Sequence, residues 1–281
     1  MPHGLIPKQI RKIIEAALIE DIGTGDVTTS AIVSRDKMGQ ASAVAKDDFI
    51  VAGINIFQDV FLFLDDTIKV KNLVSDGQKA KKGVTIAEVS GRLFYILQAE
   101  RVALNIFQRM CGVATLTSKY VDAVKGTKAK ILDTRKTVPG LRLLDKMAVV
   151  TGGGFNHRMG LYDGVLIKDN HIATAGSIAA AVRAQRNCLS HILKIEVETK
   201  NIHEVQEALD CGVDIILLDN MTTSEMKKAV VLVNGRVPLE ASGNVSLQNV
   251  AEIAATGVDF ISIGELTHSI RAADISLKIT M

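Results

Sequence analysis

Apolar residues follow two different regimes along this chain. Over 6–20, Ile10, Ile13, Ile14, Ala17 and Leu18 recur at helical spacing and leave one greasy stripe, which predicts an amphipathic helix. Residues 40–90 instead alternate short β-like runs with turn signals. The runs are QASAVAK, DFIVAG, TIKVKNLV and VTIAEVSG, punctuated by Asp76-Gly77 and Lys82-Gly83, with a helix near 54–64. Lys79, Lys81 and Lys82 fall in a turn and read as a solvated loop. The stretch 93–110 predicts a strong amphipathic helix: Leu97, Val102, Leu104, Ile106 and Phe107 supply apolar surface, and Glu100, Arg101, Gln108 and Arg109 interrupt it. Gly112 reads as a break, with a second helix over 115–124. The run DIGTGDVTT (21–29) could cradle an anion, but such a run is more often a plain turn and is read as one.

From Lys130 onward the regime changes. Short apolar runs (KILD, GVLIKD, ILKIEVE, DIILLD, VPLEASG and DFISIG) each end in a polar or glycine residue, and helical stretches over 178–186, 202–209, 224–233 and 247–256 lie between them. Strand–helix alternation of this kind means a parallel sheet. The runs look buried on both faces, and no dinucleotide glycine fingerprint follows the first. A closed or nearly closed β/α barrel therefore fits better than an open dinucleotide-binding sheet. The tract is short against the ~250 residues of a standard barrel, so an incomplete one is expected.

Composition adds mostly exclusions. The 281 residues can bury a full core and make one large or two unequal domains. A net charge of +2 gives no general ground for nucleic-acid or membrane binding, so any basic patch is local. Cys111, Cys188 and Cys211 are widely spaced and odd in number, which suits buried thiols in a reducing cytosol rather than disulfides or zinc. The first residues lack the uninterrupted apolar core of a signal peptide, and no apolar run reaches the ~18 residues of a membrane helix. A cytoplasmic protein is expected.

Chemistry gathers at the ends of the later runs, where a β/α barrel keeps its active site. Asp133 stands there with Arg135 and Lys136, then Lys168, Glu198, Asp219, Ser242-Gly243-Asn244 and Gly264. Each ion pair alone could be a buried salt bridge. A ring of cations facing carboxylates is harder to explain that way, because buried pairs are costly and often replaceable by apolar residues. Such a ring suits a small molecule with several negative charges. Two Ser/Gly turns at the last strands, Ser242-Gly243 and Ser262-Ile263-Gly264, point to a phosphate. Glu198 and Asp219 fit a hard cation such as Mg²⁺ or sugar hydroxyls. Glu196 falls on the same strand face one layer deeper, where a role as internal partner of Lys168 or Lys194 is as good a reading as a functional one. His157 beside Arg158 is a second-rank carboxylate ligand, while His171 and His268 are expected to make structural hydrogen bonds.

Those same residues carry a resemblance. LDTRKTVPGLR (132–142), GGGFNHRMGLYDGVLIKDNHI (152–172), IEVET (195–199), LLDNM (217–221), LEASGN (239–244) and SIGELTHS (262–269) resemble the quinolinate phosphoribosyltransferases. So do EDIGTGDVTT (20–29) and ERVALNIFQRMCGVAT (100–115). The resemblance implies an amino-terminal α/β sandwich (1–112), an incomplete parallel β/α barrel (113–266) and a last helix (267–281) returning to the sandwich. It also implies a homodimer whose partner chain completes each pocket, with a hexamer left open, and a reaction in NAD biosynthesis. Quinolinate and phosphoribosyl pyrophosphate would give nicotinate mononucleotide, pyrophosphate and CO₂, with Mg²⁺.

Carried over by motif, Thr134, Arg135, Lys136, His157, Arg158 and Lys168 fall on substrate-binding positions, and Arg101 on the arginine that reaches into the neighbouring pocket. Glu198 and Asp219 match the acids at ribose and metal, the latter contact direct or through water. Ser242, Gly243, Asn244, Ser262, Ile263 and Gly264 match the 5′-phosphate loops. Lys136, Lys168, Glu198 and Asp219 are the implied catalytic set. Asn244 stands where a small residue is common, and Glu265 where Ala or Lys is. Three rival readings remain: a Schiff-base barrel using Lys168, the molybdenum-transport-associated relatives that share TRKT and HR, and a non-catalytic anion-binding protein.

Overall fold

A computed structural model describes residues 6–188 and 190–280. Outside it lie the first five residues of the stretch searched for a leader peptide and the last residue of the expected terminal helix. In chain order the elements are α1 (Ile6–Ile22), α2 (Val27–Ile32), β1 (Met38–Ala45), β2 (Phe49–Ile50), α3 (Ile54–Leu64), β3 (Lys69–Asn72), β4 (Lys79–Ala80), β5 (Thr85–Arg92) and α4 (Leu93–Ala123). Then follow β6 (Lys130–Leu132), α5 (Arg142–Thr151), β7 (Val165–Ile167), α6 (Asp169–Ala175), α7 (Ile178–Cys188), β8 (Ile195–Thr199) and α8 (Ile202–Asp210). The chain ends with β9 (Ile215–Asp219), α9 (Thr223–Val233), β10 (Leu239–Ser242), α10 (Val250–Ala254), β11 (Phe260–Ser262), α11 (Glu265–His268) and β12 (Ile275–Thr280). Two compact units result. The first takes the described residues of Met1–Ser118, Val138–Gly153 and Ser269–Met281, and the second Lys119–Thr137 and Gly154–His268.

The first unit is built on an antiparallel sheet ordered β12-β1-β5-β3, with the short pair β2-β4 apart from it. β1 alternates exposed and buried positions, so Ala41, Ala43 and Ala45 point into a core that also holds Phe57, Val60 and Phe61 of α3. Three expectations change here. The carboxyl-terminal segment is a strand, not a helix: Ile275–Thr280 pairs residue for residue with β1, from Ala45↔Ile275 to Gln40↔Thr280. Its alternating Ile275, Leu277 and Ile279 suit a sheet edge. Gly112 does not break a helix, since α4 runs unbroken from Leu93 to Ala123. A Cβ there would collide with the carbonyl of Arg271, so Gly112 admits a passing backbone. The 21–29 run is only partly a turn, because Asp26 accepts from the Thr28 and Thr29 amides and starts the one-and-a-half-turn α2.

The second unit holds six parallel strands in the order β6-β11-β10-β9-β8-β7. The runs wrap around in chain order and stay open between β6 and β7, which makes an incomplete β/α barrel. β8 is buried at every position, as a strand covered on both faces must be. Caps start the intervening helices: Asn201 on α8 accepts from the Glu204 amide, and Thr222 with Glu225 forms a reciprocal capping box on α9. At the open seam, the 155–157 segment lies along the free edge of β6. Phe155 bridges Leu132 in parallel, its N–H donating to Ile131, and its carbonyl accepts from Asp133 N–H.

Candidate active site

Strand register sets the level of the site. Leu132, Ser262, Ser242 and Asp219 form one continuous rung across β6, β11, β10 and β9. The two Ser/Gly turns and Asp219 therefore emerge together at the carboxyl mouth of the barrel. Lys168 caps the end of β7, and its Nζ lies 2.8 Å from Glu198 Oε2, the inward-facing fourth residue of β8. His171 returns to the Lys168 amide through Nδ1 at 2.9 Å, the structural hydrogen bond expected of it. Asp169 pairs with Lys200 at 3.0 Å on the outer side of this end.

The TRKT segment after β6 brings its cations to the same mouth. Thr134 Oγ1 accepts from the Lys136 amide at 3.0 Å, and the Lys136 carbonyl accepts from Thr267 Oγ1 at 2.7 Å. The Lys136 side chain runs against Gly264, where a Cβ would come within 3.0 Å of its Cδ. Arg135 and Lys136 are both exposed. Arg158 is half-buried, and its Nη1 donates to the Gly164 carbonyl at 3.0 Å. Burial, and then the nearby charge of Arg135, pulls the Arg158 guanidinium below its ordinary pKa. Two cations that oppose each other in this way form a ready seat for an anion.

The late loops are tied to one another through Asn220, which motif reading did not single out. Asn220 and Asn244 both adopt left-handed backbones, and the Asn244 side chain donates to Asn220 Oδ1 at 2.9 Å. Asn220 in turn donates to Asp219 Oδ2 at 2.9 Å, and its amide binds the Ser242 carbonyl. Gly243, at φ 90°, passes so close to the Asn220 side chain that a Cβ would overlap it. The departures at Asn244 and Glu265 thus have local reasons: Asn tolerates the left-handed backbone, and Glu265 accepts from the buried Tyr120 hydroxyl at 2.5 Å.

Beneath the mouth lies a cluster that sequence reading placed only in part. Glu196 does not pair with Lys168 or Lys194. Its Oε2 lies 3.0 Å from His157 Nε2, and Glu240 Oε1 lies 3.6 Å from the same nitrogen. Both acids are buried, at 4% and 2% exposure, and burial followed by the charge of Glu196 raises the Glu240 pKa. Nearby Ser262 offsets part of that rise. Asp133, fully buried, accepts from the His157 amide at 2.9 Å. The signal for Glu240 was strand period, since it stands two residues before Ser242 and faces inward with it. Asn220 carried no signal beyond its place after Asp219. A cavity of about 330 Å³ opens on this cluster, lined by His157, Arg158, Glu196 and Glu240 together with Lys130, Val165, Ile215 and Phe260, the first residues of their strands. It extends from the amino-terminal end of the barrel to Arg158, and neither Lys168 nor Asp219 lines it.

Two donor sets could hold a cation. Glu198 and Asp219 offer hard carboxylate oxygens at the mouth, and Lys168 already opposes Glu198, a combination that suits Mg²⁺ held through water. His157, Glu196 and Glu240 bring three donor atoms within 4.8 Å of one another. Arg101 is exposed on α4 in the first unit.

The chain matches two family descriptions, the quinolinate phosphoribosyl transferase carboxyl-terminal domain over 113–278 and the amino-terminal domain over 26–111. It is 46% identical to quinolinate phosphoribosyltransferase (decarboxylating) 2b, mitochondrial, of Nicotiana tabacum, across 96% of this chain and 82% of that protein. It is 41% identical to a probable nicotinate-nucleotide pyrophosphorylase (carboxylating) of Bacillus subtilis, across 97% and 94%. Among solved structures, NadC from Streptococcus pyogenes superposes with a TM-score of 0.94 at 38% identity, covering 98% of this chain and 97% of that one. Nicotinate-nucleotide pyrophosphorylase from Ehrlichia chaffeensis gives 0.92 at 45%, covering 96% and 98%.

Proposed function

The chain belongs to the quinolinate phosphoribosyltransferase family, and on that premise we propose that the carboxyl mouth of its barrel is the seat of the reaction. The enzyme transfers the phosphoribosyl group of phosphoribosyl pyrophosphate to quinolinate with loss of CO₂, giving nicotinate mononucleotide for NAD biosynthesis. The observation that carries the placement is the pairing of a cation with acids at the ends of neighbouring strands, together with two cations whose charges oppose each other. Arg135 presses on Arg158, while Lys168 meets Glu198 at 2.8 Å and Asp219 stands one strand away. A dicarboxylate relieves the first arrangement, and a ribose that gains positive charge suits the second.

In this reading Arg135, Arg158 and Lys168 hold the two carboxylates of quinolinate, Arg through planar forks and Lys as a point charge. The pyridine nitrogen then attacks ribose C1 as the bond to pyrophosphate breaks. Glu198 and Asp219 face the positive charge that develops on the ribose ring. The Ser242–Asn244 and Ser262–Gly264 turns take the 5′-phosphate, with Lys136 lying against Gly264. Once ribosylated, the pyridinium ring accepts the electron pair of the bond to the 2-carboxylate, CO₂ leaves, and a proton takes its place on carbon. No protein nucleophile is needed, so the protein's work is positional and electrostatic. Mg²⁺ at Glu198 and Asp219 would supply charge neutralisation for the pyrophosphate.

The working unit in this reading is a homodimer in which Arg101, exposed on α4, enters the partner's pocket. No helix among the described residues is long and apolar enough to cross a membrane, and three cysteines without disulfides suit a reducing cytoplasm. The deciding experiment follows CO₂ and pyrophosphate from quinolinate plus phosphoribosyl pyrophosphate, with and without Mg²⁺. Stoichiometric release that depends on Mg²⁺ is expected. Binding of both substrates without release of either product would overturn the reading.

A further inference from the structure

His157 has both ring nitrogens committed to the protein. Nδ1 accepts the backbone N–H of Arg158 at 2.7 Å, and Nε2 faces Glu196 and Glu240. A backbone amide can only donate, so Nδ1 carries no proton and the ring's proton sits on Nε2. That tautomer excludes the metal reading of this cluster, because a cation would need the Nε2 lone pair. What the ring holds is its own neighbour, Arg158.

The surroundings explain why such a hold is needed. Beyond the Phe155 bridge, residues 156–164 form no helix or strand, so their placement rests on side-chain bonds. Residue 157 is fastened on three sides: its amide to Asp133 after β6, Nε2 to Glu196 on β8, and Nδ1 to the Arg158 amide. The anchoring acids are unusual. Glu196 and Glu240 are buried, and each keeps an oxygen that no hydrogen-bond donor reaches. Burial, and then the neighbouring Glu196, pushes the Glu240 carboxyl well above the usual carboxylate range, so the charge of one acid bears on the other. Glu196 Oε2 accepts the hydrogen bond from His157 Nε2–H at 3.0 Å.

We propose that Glu196 and Glu240 are positioning residues, which grip His157 from beneath and thereby aim Arg158 at a substrate carboxylate. This rests on the reading of the mouth as the quinolinate site. The chain of contact runs from Glu240 to Glu196, to His157, to the Arg158 backbone, and neither acid touches the substrate.

The test is steady-state kinetics of the Mg²⁺-supplied enzyme in three variants. Glu196→Gln loses a charge-assisted hydrogen bond and is expected to raise KM for quinolinate about tenfold, with KM for phosphoribosyl pyrophosphate little moved. Glu240→Ala should do the same. Glu240→Gln keeps the shape and a donor, and is expected to recover most of that loss, to about threefold above wild type. Equal rises in both KM values, a fall in kcat alone, or Glu240→Gln as damaging as Glu240→Ala would overturn the proposal. A tightly bound transition metal in the purified enzyme that Glu240→Ala removes would overturn it too. Nitrogen-15 chemical shifts of His157 supply a readout that does not depend on turnover. Protonated Nε2 with bare Nδ1 is expected, and the opposite tautomer would sink the idea. Wild-type protein with that tautomer but no quinolinate turnover would instead count against the proposed function.

Discussion

Lys168 Nζ stands 2.8 Å from Glu198 Oε2, joining the residue that follows β7 to the neighbouring parallel strand β8 thirty residues on. The lysine side chain is 47% exposed and the glutamate 8%, so the pair is a partly wet bridge. Its worth to folding should be nearer the ~1 kcal/mol of exposed pairs than the ~3–5 kcal/mol of breaking a buried one. Lys168→Ala is therefore expected to lower stability by about 1 kcal/mol in urea unfolding while cutting kcat/KM roughly a hundredfold. A comparable loss in both would make this lysine a structural residue.

Arg135 is exposed and its charge works against Arg158. Arg135→Ala should weaken kcat/KM for quinolinate roughly ten- to a hundredfold and leave the melting temperature within about 1 °C. Near-normal kcat/KM would remove Arg135 from the dicarboxylate grip.

If Arg101 acts across a dimer, Arg101→Ala and Lys168→Ala proteins are each crippled but complement one another. Mixed after subunit exchange, they should recover about a quarter of wild-type activity, since half the dimers carry one intact site of two. No recovery after exchange is verified by mass spectrometry would argue against a shared pocket.

The loops after β9 and β10 meet at Asn220 and Gly243, with no room for a Cβ and a φ of 90°. Gly243→Ala should weaken phosphoribosyl pyrophosphate binding about tenfold or more by calorimetry. Quinolinate binding should change less than twofold. Equal loss of both ligands would separate this loop from the phosphate.

In the first unit, Asp65 accepts from Arg92 Nε at 2.7 Å and from the Thr67 amide and hydroxyl. Arg92 first, and Thr67 with it, holds the Asp65 carboxyl well below its ordinary pKa. A carboxyl depressed in the folded state adds stability above its unfolded pKa of about 3.9, and loses it as pH falls further. Asp65→Asn should therefore melt several degrees lower than wild type at pH 7, with the gap narrowing steadily below about pH 4. A gap independent of pH would mean the contribution is packing rather than charge.

Much of the fold could be read from local pattern. The six late apolar runs became β6 to β11 because buried parallel strands need continuous apolar faces, and the helices between them follow the same periodicity. Gly112 misled because a glycine that admits a passing backbone looks, in sequence, like one that ends a helix. The last residues misled because their partner, β1, lies at the other end of the chain, and strand pairing at that distance leaves no local mark. Most charges of the site, Arg135, Lys136, Lys168, Glu198 and Asp219, stood at run ends where chain order alone could find them, and Arg158 stood in the NHR motif.

By itself, then, the sequence determined the strand–helix alternation, the family and the set of charged residues, because each is written in neighbouring positions. The tertiary structure alone decided which charge meets which. Glu196 faces His157 rather than a lysine, Glu240 joins them from two strands away, and Asn220 locks Gly243 and Asn244. Those contacts depend on the stagger and curvature of the sheet, which bring together residues 23 to 83 positions apart. No periodicity within a single strand encodes that stagger.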